Sequence, residues 1–351
     1  MKDLYDAYVN LQEQQPRLRV VDAAIHLGVT EAEIVAARVG KDAVRLNDDF
    51  ANMLKGLKNF GKVMALARNK YVVTEISGIY EKVYVQEEEG KLRGIALNPG
   101  GIDLRFFFDN WHSGYAVTTG RFRSIQFFDK HGTAIQKIFL KDESKLPEYQ
   151  AFVADFTHES QSTLFDVNSR KIPENKLLPD EQINVAALEK GWSEITDVHQ
   201  FPKLLATHKV GRLQALTLVD DKWAQEISPN SLTELLRLTR DKQVELMCFV
   251  SNKGIVQIYS GQVNTLKEVS GWYNVLDPDF NLHVDMKGLS RAFISHKPTD
   301  EGGVLVSSVE FFNSDDETVL TFFGRRVEGK SQSKEWKNII SLLAEQAAVS
   351  V

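Results

Sequence analysis

Apolar residues along this chain alternate between two spacings. Phe50, Met53, Leu54 and Leu57 recur at helical intervals, and Gly61 just beyond them suits a C-terminal cap. Strand alternation follows at once: Val63 to Ala67 and Tyr71 to Ile76 read as a pair turned around Asn69-Lys70. The same progression comes back later. Ser231 and Glu234 form a capping box ahead of Leu235, Leu236 and Leu238, and Val244 to Val250 and Ile255 to Tyr259 read as strands turned around Asn252-Lys253-Gly254. A last helix, about Ser333 to Ala348, puts Trp336, Ile339, Ile340 and Leu343 on one face.

The recurrence extends to the residues themselves. Ser124-Ile125-Gln126-Phe127-Phe128-Asp129 returns as Ser308-Val309-Glu310-Phe311-Phe312-Asn313, Leu97-Asn98-Pro99 as Leu276-Asp277-Pro278, and Arg68-Asn69-Lys70 as Ser251-Asn252-Lys253. Order is kept and the offset barely drifts, which indicates a duplicated domain; the repeat is too long for a solenoid unit. The expected fold is therefore α+β, a tandem structural duplication in which each half is a large antiparallel sheet with flanking helices. The polar stretch Asp166 to Glu181, with Pro173 and Pro179, is the best linker. We place an N-terminal repeat at 1–165, a linker at 166–186 and a C-terminal repeat at 187–351.

With 351 residues the chain has room for about two domains, each with its own core. No apolar run approaches the ~18 residues of a bilayer span, and the acidic start Met1-Lys2-Asp3-Leu4-Tyr5-Asp6 lacks the regions of a signal peptide. A cytoplasmic location is expected. The single cysteine, Cys248, sits in a strand-like apolar run and reads as an inert core thiol. A net charge of −6 gives no global attraction to nucleic acid or acidic membranes, so an anionic ligand must be held by local cations.

Glycine-rich phosphate loops, a nucleophile elbow, paired-cysteine zinc signatures and a His-Glu-x-x-His run are all absent from the sequence. Val21 to Ala37 has the helix, glycine turn and helix of a DNA reader, but its second helix offers Glu31, Glu33 and only Arg38. Phosphate binding needs cations there, so packing within the domain is the better reading.

Thr196-Asp197-Val198-His199-Gln200-Phe201-Pro202 opens the second half. Asp197 or Thr196 suits an N-cap, which puts His199 in the first turn of a helix running to about His208. The positive end of that helix would keep the imidazole neutral and able to donate a lone pair to a metal. From spacing alone, such a histidine is more often a surface or capping residue than a ligand.

Thr196 to Phe201, Leu97-Asn98-Pro99 leading to Ile102-Asp103-Leu104-Arg105 and Trp111, and Ser124 to Asp129 together resemble the HemS/ChuS/PhuS family of bacterial cytoplasmic heme-handling proteins. The likeness covers nearly the whole chain, duplication included. It implies one heme (iron protoporphyrin IX) in the cleft between the halves, with His199 as the iron ligand and Arg105 on the opposite side. It assigns the propionates to Arg212, Lys297 and Arg326. Histidine is an ordinary axial ligand, and Arg105 shares a strand face with Asp103 and Phe107, which would set its guanidinium against an aromatic wall. An Asp103–Arg105 ion pair on a solvated face is the competing reading. By the repeat, Arg105 matches His283.

Departures are visible too. The family carries a tyrosine where this chain has Phe323 and a glutamine near Thr321, so a hydroxyl contact to the heme edge is missing. Some relatives have a histidine near Thr74, which this chain lacks. The resemblance implies heme trafficking for iron acquisition with heme-degrading, oxygenase-like activity, in which Arg105 would be catalytic. The alternatives are delivery of intact heme to a separate oxygenase, or a heme-responsive DNA-binding regulator. Expected partners are heme, an electron donor or that downstream oxygenase, with no membrane and no nucleic acid; the oligomeric state stays open, a homodimer included.

Overall fold

The computed structural model describes residues 3–167, 177–299, 304–326 and 331–349. The chain divides into two compact units: Met1–Arg68 with Thr74–Arg170 and Asn252–Gln257, and Asn69–Val73 with Lys171–Ser251 and Ile258–Val351. The strands form two nine-stranded sheets, and each pairing whose register is described is antiparallel.

Within the first unit the strands Ala43–Leu46, Ser113–Thr119, Phe122–Phe128, Ala134–Leu140 and Val63–Arg68 lie side by side in that order. Within the second unit Ala224–Ile227, Arg291–Pro298, Leu305–Phe312, Thr318–Gly324 and Leu246–Ser251 do the same. Each unit adds a three-stranded ribbon: Val83–Glu88, Lys91–Ala96 and Asp103–Phe107 in one, Leu266–Val269, Trp272–Leu276 and Phe280–Asp285 in the other.

The repeated residues do repeated work. Asp129 Oδ1 accepts the amides of His131 and Thr133, and Asn313 Oδ1 accepts those of Asp315 and Glu317. The strand register slips at Phe127/Phe128 and again at Phe311/Phe312. Asn69 Oδ1 holds the amides of Tyr71 and Val72; Asn252 Oδ1 holds those of Gly254 and Ile255. A short polar side chain that folds back on its own backbone specifies the turn locally, which is why these motifs survive duplication in place.

Matching helices build matching cores. Glu31–Ala37 buries Ala32, Val35 and Ala36 with Tyr115, Val117 and Phe128, whereas Arg212–Leu218 buries Leu213, Ala215 and Leu216 with Trp192, Phe293 and Phe312. Val20–Leu27 does end on Gly28 at a φ of +68°, and Thr30 with Glu33 makes a capping box for Glu31–Ala37. That second helix is buried along Glu31, Ala32, Ile34, Val35 and Ala36. Its apolar residues pack within the domain.

Most predicted elements are found within a residue or two, including the final helix, Lys334–Val349, with Trp336, Ile339, Ile340 and Leu343 buried. The Ser231 capping box is not. Asn230 already has helical dihedrals and occupies the cap, Ser231 is the first helical residue, and Glu234 pairs with Arg237 instead. Pro173 and the middle of the expected linker lie outside the described residues. Leu178 donates its amide to the Lys209 carbonyl at 2.8 Å, and the helix Val185–Glu194 follows. Cys248 is buried, which pushes its thiol well above the usual range.

Candidate functional site

His199 is set by its neighbours in sequence. Asp197 is extended, at φ −145° and ψ 135°, and one carboxylate oxygen, Oδ1, accepts the His199 amide at 2.8 Å and lies 2.7 Å from ring Nδ1. Gln200 reaches back over the same turn, its Oε1 accepting the Thr196 amide at 2.9 Å and its Nε2 donating to the Thr196 hydroxyl at 3.2 Å. The amide of His199 draws the Asp197 carboxyl below the usual range, against some burial, with the ring and Arg326 adding to the pull.

The histidine does not stand in the first turn of an α-helix. Val198–Gln200 is a 3-10 turn closed by the Phe201 amide on the Val198 carbonyl, and the α-helix is Phe201–His208. Pro202 has no amide hydrogen to give the Val198 carbonyl, so α-type bonding cannot begin earlier. Ring orientation therefore comes from the Asp197 contact, not from a helix dipole. A carboxylate only accepts, so in the neutral ring Nδ1 carries the proton of that hydrogen bond and Nε2 keeps its lone pair. The His199 side chain is 85% exposed, so Nε2 is accessible to a ligand.

Two residues on, the chain is anchored. Phe201 is buried, its ring 4.4 Å from that of Trp192, with Lys297 Nζ at 4.7 Å and the Arg212 guanidinium at 5.2 Å. Arg212 starts the helix Arg212–Leu218 and donates from Nε to Glu310 at 2.6 Å. Lys297 donates to the other Glu310 oxygen at 2.8 Å and to the Ser295 hydroxyl at 2.6 Å. Burial alone would raise the Glu310 carboxyl, but Arg212 and Lys297 outweigh it and hold it well below the usual range.

Lys297, which the resemblance assigns to a propionate, has a side chain 2% exposed and an ammonium committed to a fully buried carboxylate. Arg212, 31% exposed, and the half-buried Arg326 retain access to solvent. His208 is the last residue of its helix and is half-buried. Phe323 meets Phe249 edge-on at 5.1 Å, and Thr321 is buried.

In the first unit, Arg105 lies on Asp103–Phe107 and donates to Asp103 at 2.5 Å and to the Leu104 carbonyl at 3.0 Å. Burial raises the Asp103 carboxyl more than Arg105 lowers it. The ion pair is thus present, half-buried instead of solvated. The aromatic wall belongs to another cation. Arg93 stands directly opposite Phe107 in the strand register, covers its ring at 5.5 Å and is itself held by Asp109. In the second unit, His283 Nδ1 is 2.7 Å from Asn274 Oδ1. Thr74 is buried, and its carbonyl accepts from Gln257. Among the described residues no group of three or more His, Cys, Asp or Glu is placed to hold a metal ion.

Sequence reasoning missed Glu310 and the gripping role of Asp197. The first had a signal in the repeat itself, where the glutamine of Ser124-Ile125-Gln126 becomes a glutamate in Ser308-Val309-Glu310.

Duplicated units of antiparallel sheet and flanking helices define a tandem α+β protein. The chain belongs to the family described as Haemin-degrading HemS.ChuX domain, whose model matches twice, at residues 28–156 and 209–343. It is 33% identical over 354 residues to the hemin transport protein HmuS of Yersinia pestis, covering 97% of each chain. With the hemin transport protein HemS of Yersinia enterocolitica the identity is also 33%, again over 97% of each. Among solved structures it resembles apo-PhuS, a heme-binding protein from Pseudomonas aeruginosa, with a TM-score of 0.92, 36% identity and coverage of 97% and 98%. It also resembles ChuS, an E. coli heme oxygenase, with a TM-score of 0.85, 31% identity and coverage of 97% and 99%.

Proposed function

We propose that this chain is a heme-binding protein of iron acquisition that takes heme as cargo and substrate through His199, and that it degrades heme to release iron. The observation that carries the reading is the Asp197–His199 pair, which engages Nδ1 and leaves the rest of the ring open to solvent on a hydrogen-bonded turn. One imidazole on iron leaves the opposite position open, as oxygen chemistry requires. Arg212 and Arg326 supply propionate donors, and Lys297 acts behind them by holding Glu310. Arg105 is the hydrogen-bond donor for the open side, already oriented by Asp103. A cytoplasmic location suits this role; among the described residues no helix is long and apolar enough to cross a membrane.

A hemin titration followed by absorbance tests the ligand: His199→Ala is expected to abolish or rearrange axial ligation, and a spectrum identical to wild type refutes the assignment. Arg105→Ala should bind hemin nearly as well as wild type yet show a changed sixth ligand and slower turnover. For degradation, the loaded protein given a reductant should lose its Soret band and release iron. Intact heme after many equivalents favours the second reading, delivery to a separate oxygenase. Phe323 favours that alternative, because a phenyl ring packed on Phe249 provides no hydroxyl to retain the heme edge.

A further inference from the structure

We propose that Asp197 is a positioning residue for the iron ligand: through its Oδ1 it fixes His199 in the Nδ1–H form and gives the imidazole part of the carboxylate's electron density. This inference rests on the ligation proposed above. One oxygen takes both the backbone amide and the ring nitrogen of the same residue, at 2.8 and 2.7 Å. Backbone and ring are therefore oriented together, and rotation of the ring about its own bonds would break a charge-assisted hydrogen bond.

Three further contacts keep the carboxylate aimed. The Thr196–Gln200 exchange closes the turn around it, the Gln200 amide donates to the Asp197 carbonyl at 3.0 Å, and Phe201 pins the following residue in the core. Asp197 is thus doubly employed, as cap of the 3-10 turn and as acceptor for the ring. Only the second role reaches the iron. Metal-bound histidines are generally oriented through their other ring nitrogen, and a carboxylate there makes the imidazole a stronger donor.

Asp197→Asn separates the roles, since asparagine caps a turn as well as aspartate but carries no charge. In the apo protein under alkaline conditions, nitrogen-15 NMR of the His199 ring should show the Nδ1–H form dominant in wild type and a severalfold shift towards Nε2–H in the variant. Loaded with hemin and reduced, the variant should show its iron–imidazole stretching band in resonance Raman moved to lower frequency. A wild-type ring that is mainly Nε2–H, or an unmoved band in the variant, overturns the proposal. If instead His199→Ala retains the wild-type band, the ligation itself is wrong and this inference falls with it, whatever the apo NMR shows.

Discussion

Both halves begin a seven-residue helix with a buried or half-buried charge aimed at the sheet, and the two charges have opposite sign. In the first unit the helix residue is Glu31, 5% exposed, which takes Arg68 at 2.5 Å and also Lys137. At the matching place in the second unit stands Arg212, and the carboxylate has moved to the strand as Glu310, shared by Arg212 and Lys297. The helix entries are otherwise alike: Glu33 reaches back to the Thr30 amide, and Gln214 to the Gly211 amide. Where Glu310 stands in one unit, the neutral Gln126 stands in the other, opposite Lys137 in register. Each arrangement buries one carboxylate between two cations. What has been exchanged is which element carries which sign, and only the second unit thereby offers a solvent-reaching guanidinium at the start of its helix. Duplication preserved the balance of buried charge while changing which element carries which sign.

The largest expected effect probes that balance. Glu310→Gln leaves the buried Lys297 ammonium without its carboxylate, and breaking a buried pair from one side costs about 3–5 kcal/mol. Glu31→Gln should cost less, about 3 kcal/mol or under, because Arg68 is 20% exposed and Lys137 is 11% exposed, so both can regain water. Urea unfolding of the two variants gives the ordering. A larger loss in Glu31→Gln would reverse the claim that the second unit holds the more completely buried network.

Acid titration sharpens the same contrast. Burial raises both carboxyls, yet their cation partners outweigh it and hold both below the usual range. A depressed folded value contributes stability that is fully present above the unfolded glutamate value of about 4.3 and is lost as pH falls through the folded values. Wild type should therefore lose stability below about pH 4.5, by up to ~1.4 kcal/mol per pH unit for each such carboxyl. Both Glu→Gln variants should have shallower acid limbs. An unchanged slope in Glu310→Gln would mean that its carboxyl titrates alike in the folded and unfolded states.

Much of this was legible beforehand, for local reasons. Asn69, Asn252, Asp129 and Asn313 write their turns into the backbone beside them, so strand pairs and the duplication could be read directly. The Ser231 cap misled because Asn230 can enter the helical region as easily as cap it. The burial of Lys297 was not legible, because alternation along His296-Lys297-Pro298 does not say which face is buried; its partner is Glu310 on the neighbouring strand. Arg105 lost its aromatic wall to Arg93 through a cross-strand register that neither strand encodes alone. For His199, Pro202 set where α-bonding begins, and the sequence displayed it, but the ring's orientation depends on a carboxylate rotamer that no spacing reveals.

The smallest predicted effect separates binding charge from structural charge. Arg212→Met and Arg68→Met each remove one of the two cations from a buried glutamate while the lysine partner remains, so each should lower stability by roughly 1.5–3 kcal/mol, the worth of a hydrogen bond to a charged group. Hemin affinity should divide them. Losing a propionate donor of that strength weakens binding about tenfold or more, and only Arg212 is proposed to be one, so Arg68→Met should titrate like wild type. Equal affinity losses in the two variants would mean that Arg212 acts through folding alone. The reversed sign at the helix start would then be neutral drift between the repeats, and the propionate contacts would have to be sought at Arg326.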